Sequence, residues 1–170
     1  MANGAADPTG NTRPRSRTVW VVVALAGIVA TDQLTKAWAV AALRHGPRHV
    51  IGDFLVLDVA RNGGSAFSRF QGYTPVLAVV AIVIAVFVAR TLRSATDRWT
   101  LVGLVLVLGG ALGNLADRLA RSPGFLRGHV VDFVAVGWWP LFNFADSCIT
   151  VGAIVLIGRT LFAPASVPTG

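Results

Sequence analysis

The sequence predicts a mainly α-helical membrane protein built as a four-transmembrane-helix bundle. Of its 170 residues, 54% are hydrophobic and only 14% are charged, whereas a soluble domain carries about 25% charged residues. The mean hydropathy is +0.65. Four apolar stretches, separated by polar and charged segments, are near the length of about 20 residues that a helix needs to cross a bilayer.

The four apolar stretches and the two termini divide the chain as follows. One membrane domain, residues 18–162, is predicted to contain spans at residues 18–43, 73–89, 100–116 and 142–162. Residues 1–17 are predicted to form a disordered, basic tail, because they are polar, rich in Pro and Gly, and end in three closely spaced arginines. Residues 163–170 are predicted to be a disordered C-terminal tail.

The basic residues predict the orientation of the bundle. Four spans place both termini on one side, and the arginines are densest in the N-terminal tail and in the predicted loop 90–98. Basic segments favour the cytoplasm. The polar residues at the other ends of the spans then converge near the outer face; they are Asp32, Asn62, Asp117, Asp132 and Asp146.

Composition excludes several functional classes. The net charge is +7, but the arginines form no basic stripe interleaved with aromatic residues, so a nucleic-acid-binding surface is not predicted. Cys148 is the single cysteine, which excludes an internal disulfide and a cysteine-rich metal site. No serine lies in a GxSxG or SxxK setting.

Two carboxylates carry the strongest chemical signal. Asp132 lies inside the apolar run VVDFV, and Asp146 lies at the start of the last span, 14 residues later. An ionised carboxylate in such surroundings is costly unless it is paired or functional. Two carboxylates that share a site hold one proton between them. Such a pair can deprotonate a water and protonate a carbonyl or an amine, which is the chemistry of peptide hydrolysis.

Other polar residues are candidates for the same site. Asn62, Asn114 and Asn143 provide neutral groups that could bind a peptide backbone, although the glycines beside Asn62 are equally typical of a hairpin turn. Asp32 and Lys36 are four residues apart on one helix face. They are interpreted either as a charge pair at the membrane surface or as support for the site.

Three alternatives remain open from the residues themselves. A divalent metal could be held by three aspartates. A proton- or ion-coupled carrier could use membrane aspartates as a relay, although its acids would lie near mid-membrane. A non-enzymatic assembly factor would leave the paired aspartates without a role.

Five motifs, in order along the four spans, resemble those of the lipoprotein signal peptidase (signal peptidase II) family. They are DQLTK (32–36), NGGSAF (62–67), GGALGNLADR (109–118), GHVVDF (128–133) and FNFADS (142–147). The resemblance implies a bacterial aspartic endopeptidase that removes the signal peptide from prolipoproteins, cutting before the diacylglyceryl-modified cysteine. It also implies a small extracytoplasmic β-cradle and a short surface helix beside the four-helix bundle.

The resemblance further implies roles for individual residues. The catalytic pair is Asp132 and Asp146; the expected substrate-binding residues are Asn62, Asn114, Asp117, Arg118 and Asn143; the expected supporting residues are Asp32, Lys36, Gly64 and Ala145. Neither a metal nor a cofactor is expected. The expected partners are diacylglyceryl-modified prolipoproteins and membrane lipids, and the protein is expected to be a monomer in the bacterial cytoplasmic (inner) membrane.

One segment departs from the family pattern. The spacer at residues 119–127 is longer than is typical, so its contacts and its role as a flap are open. A rival assignment within the family pattern gives Asp117 the catalytic role. Against it, the adjacent Arg118 is expected to hold Asp117 ionised.

Overall fold

The computed structural model describes residues 15–64 and 74–162, with side chains from Arg17 onward. The described chain folds into four helices and four strands: α1 (Arg15–Ala42), β1 (Arg48–Ile51), β2 (Leu55–Asn62), α2 (Thr74–Ser94), α3 (Arg98–Ala120), β3 (Val130–Val136), β4 (Trp139–Phe142) and α4 (Phe144–Leu161). Residues 1–14 and 163–170 of the predicted tails lie outside the described part. Residues 15–17 of the predicted N-terminal tail are helical.

All four helices are long and apolar enough to cross a membrane. Their ends differ from the predicted ends of the spans, most clearly between α2 and α3. The loop predicted at residues 90–98 is shorter in the structure and comprises residues 95–97. The difference arises because arginine is a good helix former, and because hydropathy marks the bilayer boundary rather than the helix end. Asp97 caps α3 by accepting a hydrogen bond from the Thr100 backbone N–H at 2.9 Å, which lowers the pKa of Asp97 from its usual value.

The third and fourth spans also begin or end elsewhere than predicted. α3 continues past residue 116 to Ala120, which adds one helical turn. α4 begins at Phe144, because Asn143 caps it with its side chain and Phe142 belongs to β4. Asn143 and Asp146, which the sequence placed inside the fourth span, are therefore the cap and a first-turn residue of α4.

α3 is the central helix and packs against α1, α2 and α4. Glycines allow the close approach that packing in a membrane requires. A Cβ at Gly113 would lie 2.7 Å from Asp32 Oδ2 on α1, and a Cβ at Gly110 would overlap the carbonyl oxygen of Ala145 on α4. On α4, a Cβ at Gly152 would lie 2.7 Å from the Gly103 carbonyl oxygen.

The strands form one antiparallel sheet in the order β1-β2-β3-β4. β3 has the β-branched run VVDFV, which favours a strand, and its first four residues are buried. Phe133 on this strand packs with Ala39 and Leu43 at the end of α1. The sheet therefore lies against one end of the bundle.

The tips of the two hairpins lie side by side at the far end of the sheet. Gly137 N donates to the carbonyl oxygen of Phe54 at 2.7 Å. Phe54 and the two tryptophans of the second tip, Trp138 and Trp139, expose more than half of their surface. No short surface helix occurs in residues 15–64 or 74–162, so this expectation is not met there; residues 65–73 lie outside the described part.

A buried lysine joins α1 to α3. Lys36 Nζ lies 2.8 Å from Asp32 Oδ2, 2.9 Å from Asp117 Oδ2 and 2.9 Å from Asn114 Oδ1. Lys36, Asp32 and Asp117 are all fully buried. The predicted pairing of Asp32 with Lys36 is thus confirmed, and the pair lies inside the bundle rather than at the membrane surface.

The two carboxylates of this buried cluster also bind backbone N–H groups of α4 and β3. Asp32 Oδ1 accepts from the Ala145 backbone N–H at 3.1 Å, and Asp117 Oδ2 accepts from the Val131 backbone N–H at 3.1 Å. Arg121 Nε donates to Asp117 Oδ1 at 2.6 Å. Two carboxylates therefore face one ammonium and one guanidinium, which is the pairing that a buried charge needs.

Replacing this ammonium is expected to destabilise the protein strongly. In Lys36→Met, Asp32 and Asp117 lose a buried counter-charge, and removing one partner of a buried ion pair costs about 3–5 kcal/mol. The melting temperature in detergent micelles measures the loss. Arg44→Met, which removes an exposed cation just beyond the same helix, serves as the control. A Lys36→Met protein as stable as the control would contradict the role given to the cluster.

Candidate active site

Asp132 and Asp146 lie next to one another although they belong to different elements. Asp132 is on β3 and Asp146 is in the first turn of α4. The hairpin between β3 and β4 pairs Val134 with Phe142, so the chain returns to the bundle beside Asp132. Asp132 is 4% exposed, and Asp146 is partly buried.

Asn143 contacts both carboxylates. Its side-chain Nδ2 donates to Asp132 Oδ1 at 2.7 Å, and its backbone N–H donates to Asp146 Oδ2 at 3.1 Å. The second bond is half of a capping box, because the Asn143 side chain accepts from the Asp146 backbone N–H at 3.0 Å. The start of α4 therefore sets the position of one carboxylate relative to the other.

Two further asparagines hold the outer sides of the pair. Asn62, the last residue of β2, donates from Nδ2 to Asp132 Oδ2 at 3.0 Å. Asn114 on α3 donates from Nδ2 to Asp146 Oδ1 at 2.8 Å. Each of the four carboxylate oxygens thus accepts one N–H. The three asparagines that the sequence singled out all meet at this pair.

The environment of Asp132 favours its protonated form. Burial raises the pKa of Asp132 to about 6, and the charge of Asp146 adds to the rise. Hydrogen bonds from Asn62 and Asn143 and the more distant charge of Lys36 act in the opposite direction and are outweighed. Near neutral pH the pair therefore retains a proton more readily than two exposed aspartates would.

Arg118 lies beside the pair on α3. Both Asp132 and Asp146 act on its guanidinium electrostatically. Its Nη1 donates to the Asn114 carbonyl oxygen at 3.3 Å, and its buried Nε has no hydrogen-bond partner within the described residues. A buried donor without a partner is costly, so this atom is available to an acceptor that enters the site.

Arg118 and Asn114 also line one end of a groove of about 290 Å³. The rest of the groove is apolar and runs between α2, α3 and α4; it is lined by Leu77, Val80, Ala81, Ile84, Val107, Ala111 and Ile149. Asn114, which donates to Asp146, therefore also borders this apolar groove.

Asp117 lies away from the carboxylate pair. It is fully buried, and its oxygens bind Lys36, Arg121, Gln33 and the Val131 backbone. The cations in direct contact with Asp117 are thus Lys36 and Arg121; Arg118, which the sequence suggested, makes no salt bridge with it within the described residues. In this arrangement Asp117 has no exposed surface and its oxygens are occupied within the protein, whereas the expected substrate-binding role and the rival catalytic role both remain predictions.

Gly64 and Ala145 lie at positions where there is little room for a larger side chain. Gly64 has a φ of +107°, and a Cβ there would overlap Leu77. Its N–H donates to Asn62 Oδ1 at 2.8 Å, which orients the Asn62 side chain toward Asp132. Ala145 has no exposed surface, and its N–H binds Asp32. Each therefore links the carboxylate pair to its surroundings.

Sequence reasoning missed two residues of the buried cluster. Gln33 Nε2 donates to Asp32 Oδ2 and Asp117 Oδ1, both at 3.1 Å. Arg121 pairs with Asp117, four residues earlier. The spacing of four residues would have identified this pair if the helix had been extended beyond residue 116.

The segment 119–127 is not an extended flap. Gly128 N donates to the Arg118 carbonyl oxygen and His129 N to that of Ser122, both at 3.1 Å. A Cβ at Gly128 would overlap the Asp117 carbonyl oxygen. The segment therefore folds back onto the end of α3.

Metal ligation has little geometric support in the described part. Within residues 15–64 and 74–162, no group of three His, Cys, Asp or Glu residues is arranged to hold a metal ion. In addition, N–H donors approach all four oxygens of the carboxylate pair. A cation at the pair would have to compete with these donors for the carboxylate oxygens.

Comparisons with known proteins identify the family of this chain. Residues 23–162 match the family model for signal peptidase (SPase) II. A lipoprotein signal peptidase of Rhodococcus jostii (strain RHA1) is 48% identical over 160 residues, covering 94% of this chain and 80% of that protein. The lipoprotein signal peptidase of Mycobacterium tuberculosis (strain ATCC 25618 / H37Rv) is 43% identical over 162 residues, covering 95% of this chain and 80% of that protein.

Solved structures share the fold. A bacterial membrane enzyme determined by the in meso method at 1.9 Å resolution superposes with a TM-score of 0.74 at 28% identity, covering 86% of this chain and 95% of that one. A second, at 2.3 Å resolution, gives a TM-score of 0.72 at 26% identity, covering 88% and 94%. The predicted bundle with a small antiparallel sheet is thereby confirmed. With four helices able to span a membrane and a family match over most of its length, the chain belongs to the signal peptidase II family of aspartic-type peptidases, which remove signal peptides from prolipoproteins.

Proposed function

We propose that this protein hydrolyses the signal peptide of prolipoproteins with Asp132 and Asp146 as its catalytic pair, and that it cuts before the diacylglyceryl-modified cysteine. The observation that carries the proposal is the placement of the two carboxylates. They lie side by side, each held by two asparagine N–H groups, and one of these asparagines, Asn114, also lines an apolar groove.

The proton belongs on Asp132 in the resting enzyme. Asp132 is the more buried carboxyl, and its pKa is raised to about 6. Asp146 lies in the first turn of α4, where the backbone N–H groups favour a negative charge. In this assignment Asp146 is the general base and Asp132 is the general acid.

The reaction then needs no other proton carrier. Asp146 takes a proton from water as the water oxygen bonds to the scissile carbonyl carbon, and Asp132 gives its proton to the carbonyl oxygen. In the second step Asp146 passes its proton to the amide nitrogen, the C–N bond breaks, and the proton on the former carbonyl oxygen returns to Asp132. The three asparagines keep both carboxylates oriented throughout.

Arg118 and the groove beside it select the substrate. Arg118 Nε, which has no hydrogen-bond partner in the described part of the chain, would bind a backbone carbonyl close to the scissile bond. The apolar groove between α2 and α4 suits the hydrophobic part of a signal peptide or the acyl chains on the modified cysteine. Asn114, Asn143 and Asp117, whose polar groups are occupied within the protein, position the pair rather than bind substrate.

The carboxylate pair faces the outer side of the cytoplasmic membrane in this proposal, and both termini are cytoplasmic. In support, Arg90, Arg93, Arg98 and Arg159 lie near the end of the bundle away from the sheet, and basic residues favour the cytoplasm.

Cysteine labelling is expected to establish this orientation. In a Cys148→Ser background, Asp53→Cys in the first hairpin should react with a membrane-impermeant thiol reagent on intact spheroplasts. Arg98→Cys should react only after permeabilisation. The reverse pattern would place the sheet in the cytoplasm.

Removing either carboxylate is expected to abolish cleavage of a diacylglyceryl-modified prolipoprotein. Asp132→Asn and Asp146→Asn should each reduce kcat by at least about 10³-fold, since general acid–base catalysis alone contributes about 10²–10⁴-fold. Asp58→Asn, which alters an exposed aspartate on β2, should retain full activity. Each protein is assayed with and without a chelator. Near wild-type turnover by either variant would contradict the pair, and loss of wild-type activity on chelation would indicate a metal.

Asp132 is expected to make stability depend on pH in a particular direction. Its pKa of about 6 in the folded protein exceeds the value of 3.8 for an unperturbed aspartate. The folded state therefore binds the proton more tightly, and this stabilising contribution is lost as pH rises toward 6. The Asp132→Asn variant has no ionisable carboxyl at this position and so lacks this pH-dependent contribution. The stability of wild type relative to Asp132→Asn should thus fall between about pH 4 and 7, by an amount on the order of 2–3 kcal/mol.

Melting temperatures of both proteins across this pH range measure the effect. Asp58→Asn provides the matched comparison, because its carboxylate is exposed. A difference between wild type and Asp132→Asn that does not change with pH would contradict the raised pKa.

A further inference from the structure

A second groove opens between α1 and α2, at the end of the bundle opposite the carboxylate pair. Both helices pack on α3 and make few contacts with one another. The space between them, about 300 Å³, has Leu108 of α3 at its base. Its walls are Thr18, Val21, Val22 and Leu25 on α1 and Ala89 and Leu92 on α2. This volume is at the lower limit of about 300–1,000 Å³ for ligand pockets.

Two arginines lie at the mouth of the groove. Arg17 on α1 and Arg93 on α2 both line it, and none of the described residues that line it is acidic. Within residues 15–64 and 74–162, Asp97 is the acid at this end of the bundle, and it is bound to Arg159 at 3.1 Å and to Thr100. The groove therefore joins an apolar interior to a positive mouth.

Arg17 also removes a source of repulsion for an anion at this mouth. The C-terminal carbonyls of a helix carry partial negative charge. Arg17 Nη2 donates to the carbonyl oxygens of Leu92 and Ala95, at 3.0 and 2.5 Å. The end of α2 is thus covered by a guanidinium, and the exposed side chain of Arg93 adds a second positive charge.

The level of the mouth matches a membrane interface. Trp20 and Trp99, on α1 and α3 near this end, are about half exposed, and exposed tryptophans in membrane helices concentrate at the headgroup level. A molecule in the groove would thus place its apolar part among hydrocarbon chains and its polar part among headgroups.

We propose that this groove binds an anionic glycerophospholipid, with one acyl chain between α1 and α2 and the phosphate between Arg17 and Arg93. Basic pockets between transmembrane helices on the cytoplasmic side are suited to anionic headgroups. The site lies away from the carboxylate pair and is independent of the peptidase mechanism. A bound lipid would fill the space between α1 and α2, and so stabilise the position of α2.

Native mass spectrometry of the purified full-length protein tests this proposal. Protein in detergent is titrated with dioleoyl phosphatidylglycerol or with dioleoyl phosphatidylcholine, which has the same chains but a zwitterionic headgroup. Phosphatidylglycerol should be retained at least about fivefold more strongly, because a basic residue near the surface contributes that factor for an anionic lipid.

Three variants separate a specific site from general attraction. Arg93→Gln should weaken retention of phosphatidylglycerol about fivefold. Arg90→Gln, on the same helix but outside the groove lining, should leave retention unchanged. Ala89→Phe should reduce retention of both lipids by filling the groove. Melting temperatures without lipid confirm that each variant is folded.

The proposal is overturned by any of three results. Equal retention of the two lipids by the wild type would remove the headgroup preference. An equal loss in Arg90→Gln and Arg93→Gln would show diffuse attraction to a basic face. Full retention in folded Ala89→Phe would place the lipid elsewhere.

Discussion

The buried ammonium of Lys36 is the interaction on which the rest of the structure depends. It lies between carboxylates from two different helices, where a lone charge would be too costly to keep. The same two carboxylates also accept backbone N–H groups from the start of α4 and from β3. One charge thus fixes the relative positions of three helices and one strand, in a membrane where the hydrophobic effect contributes little to helix association.

The carboxylate pair depends on this arrangement through its neighbours in sequence. Val131, which binds Asp117, directly precedes Asp132; Ala145, which binds Asp32, directly precedes Asp146. Each carboxylate of the pair is therefore one residue away from an attachment to the buried cluster. Asn114 connects the two directly, since its Oδ1 accepts from Lys36 and its Nδ2 donates to Asp146.

The helices were predictable because apolar runs of this length have few alternatives, and the pairing of Asp32 with Lys36 followed from the helical repeat. The meeting of Asp132, Asp146 and three asparagines was expected from motif resemblance, but its geometry was not predictable. It depends on a four-residue strand, β4, whose sequence WPLF carries no alternating pattern. It also depends on Asn143 acting as a helix cap, which hydropathy placed inside the span.

The ends of the helices are the least predictable part of the fold, and they determine which side-chain contacts the sequence predicts. Hydropathy falls after residue 116 and so predicts that Arg121 lies outside the helix, whereas the helix continues to Ala120 and brings Arg121 beside Asp117. Long-range contacts, such as the one between Gln33 and Asp117, leave no local signal in a single sequence.

The residues that bind the buried cluster, Val131 and Ala145, directly precede the two carboxylates of the pair. This adjacency has a consequence for genetic screens. A substitution that disturbs Lys36, Asp32 or Asp117 without unfolding the chain would still shift Val131 or Ala145, and with them the reacting oxygens. Inactive mutants would therefore map to both groups of residues. Loss of activity in a living cell cannot by itself distinguish a residue that handles protons from one that sets the geometry of its neighbours.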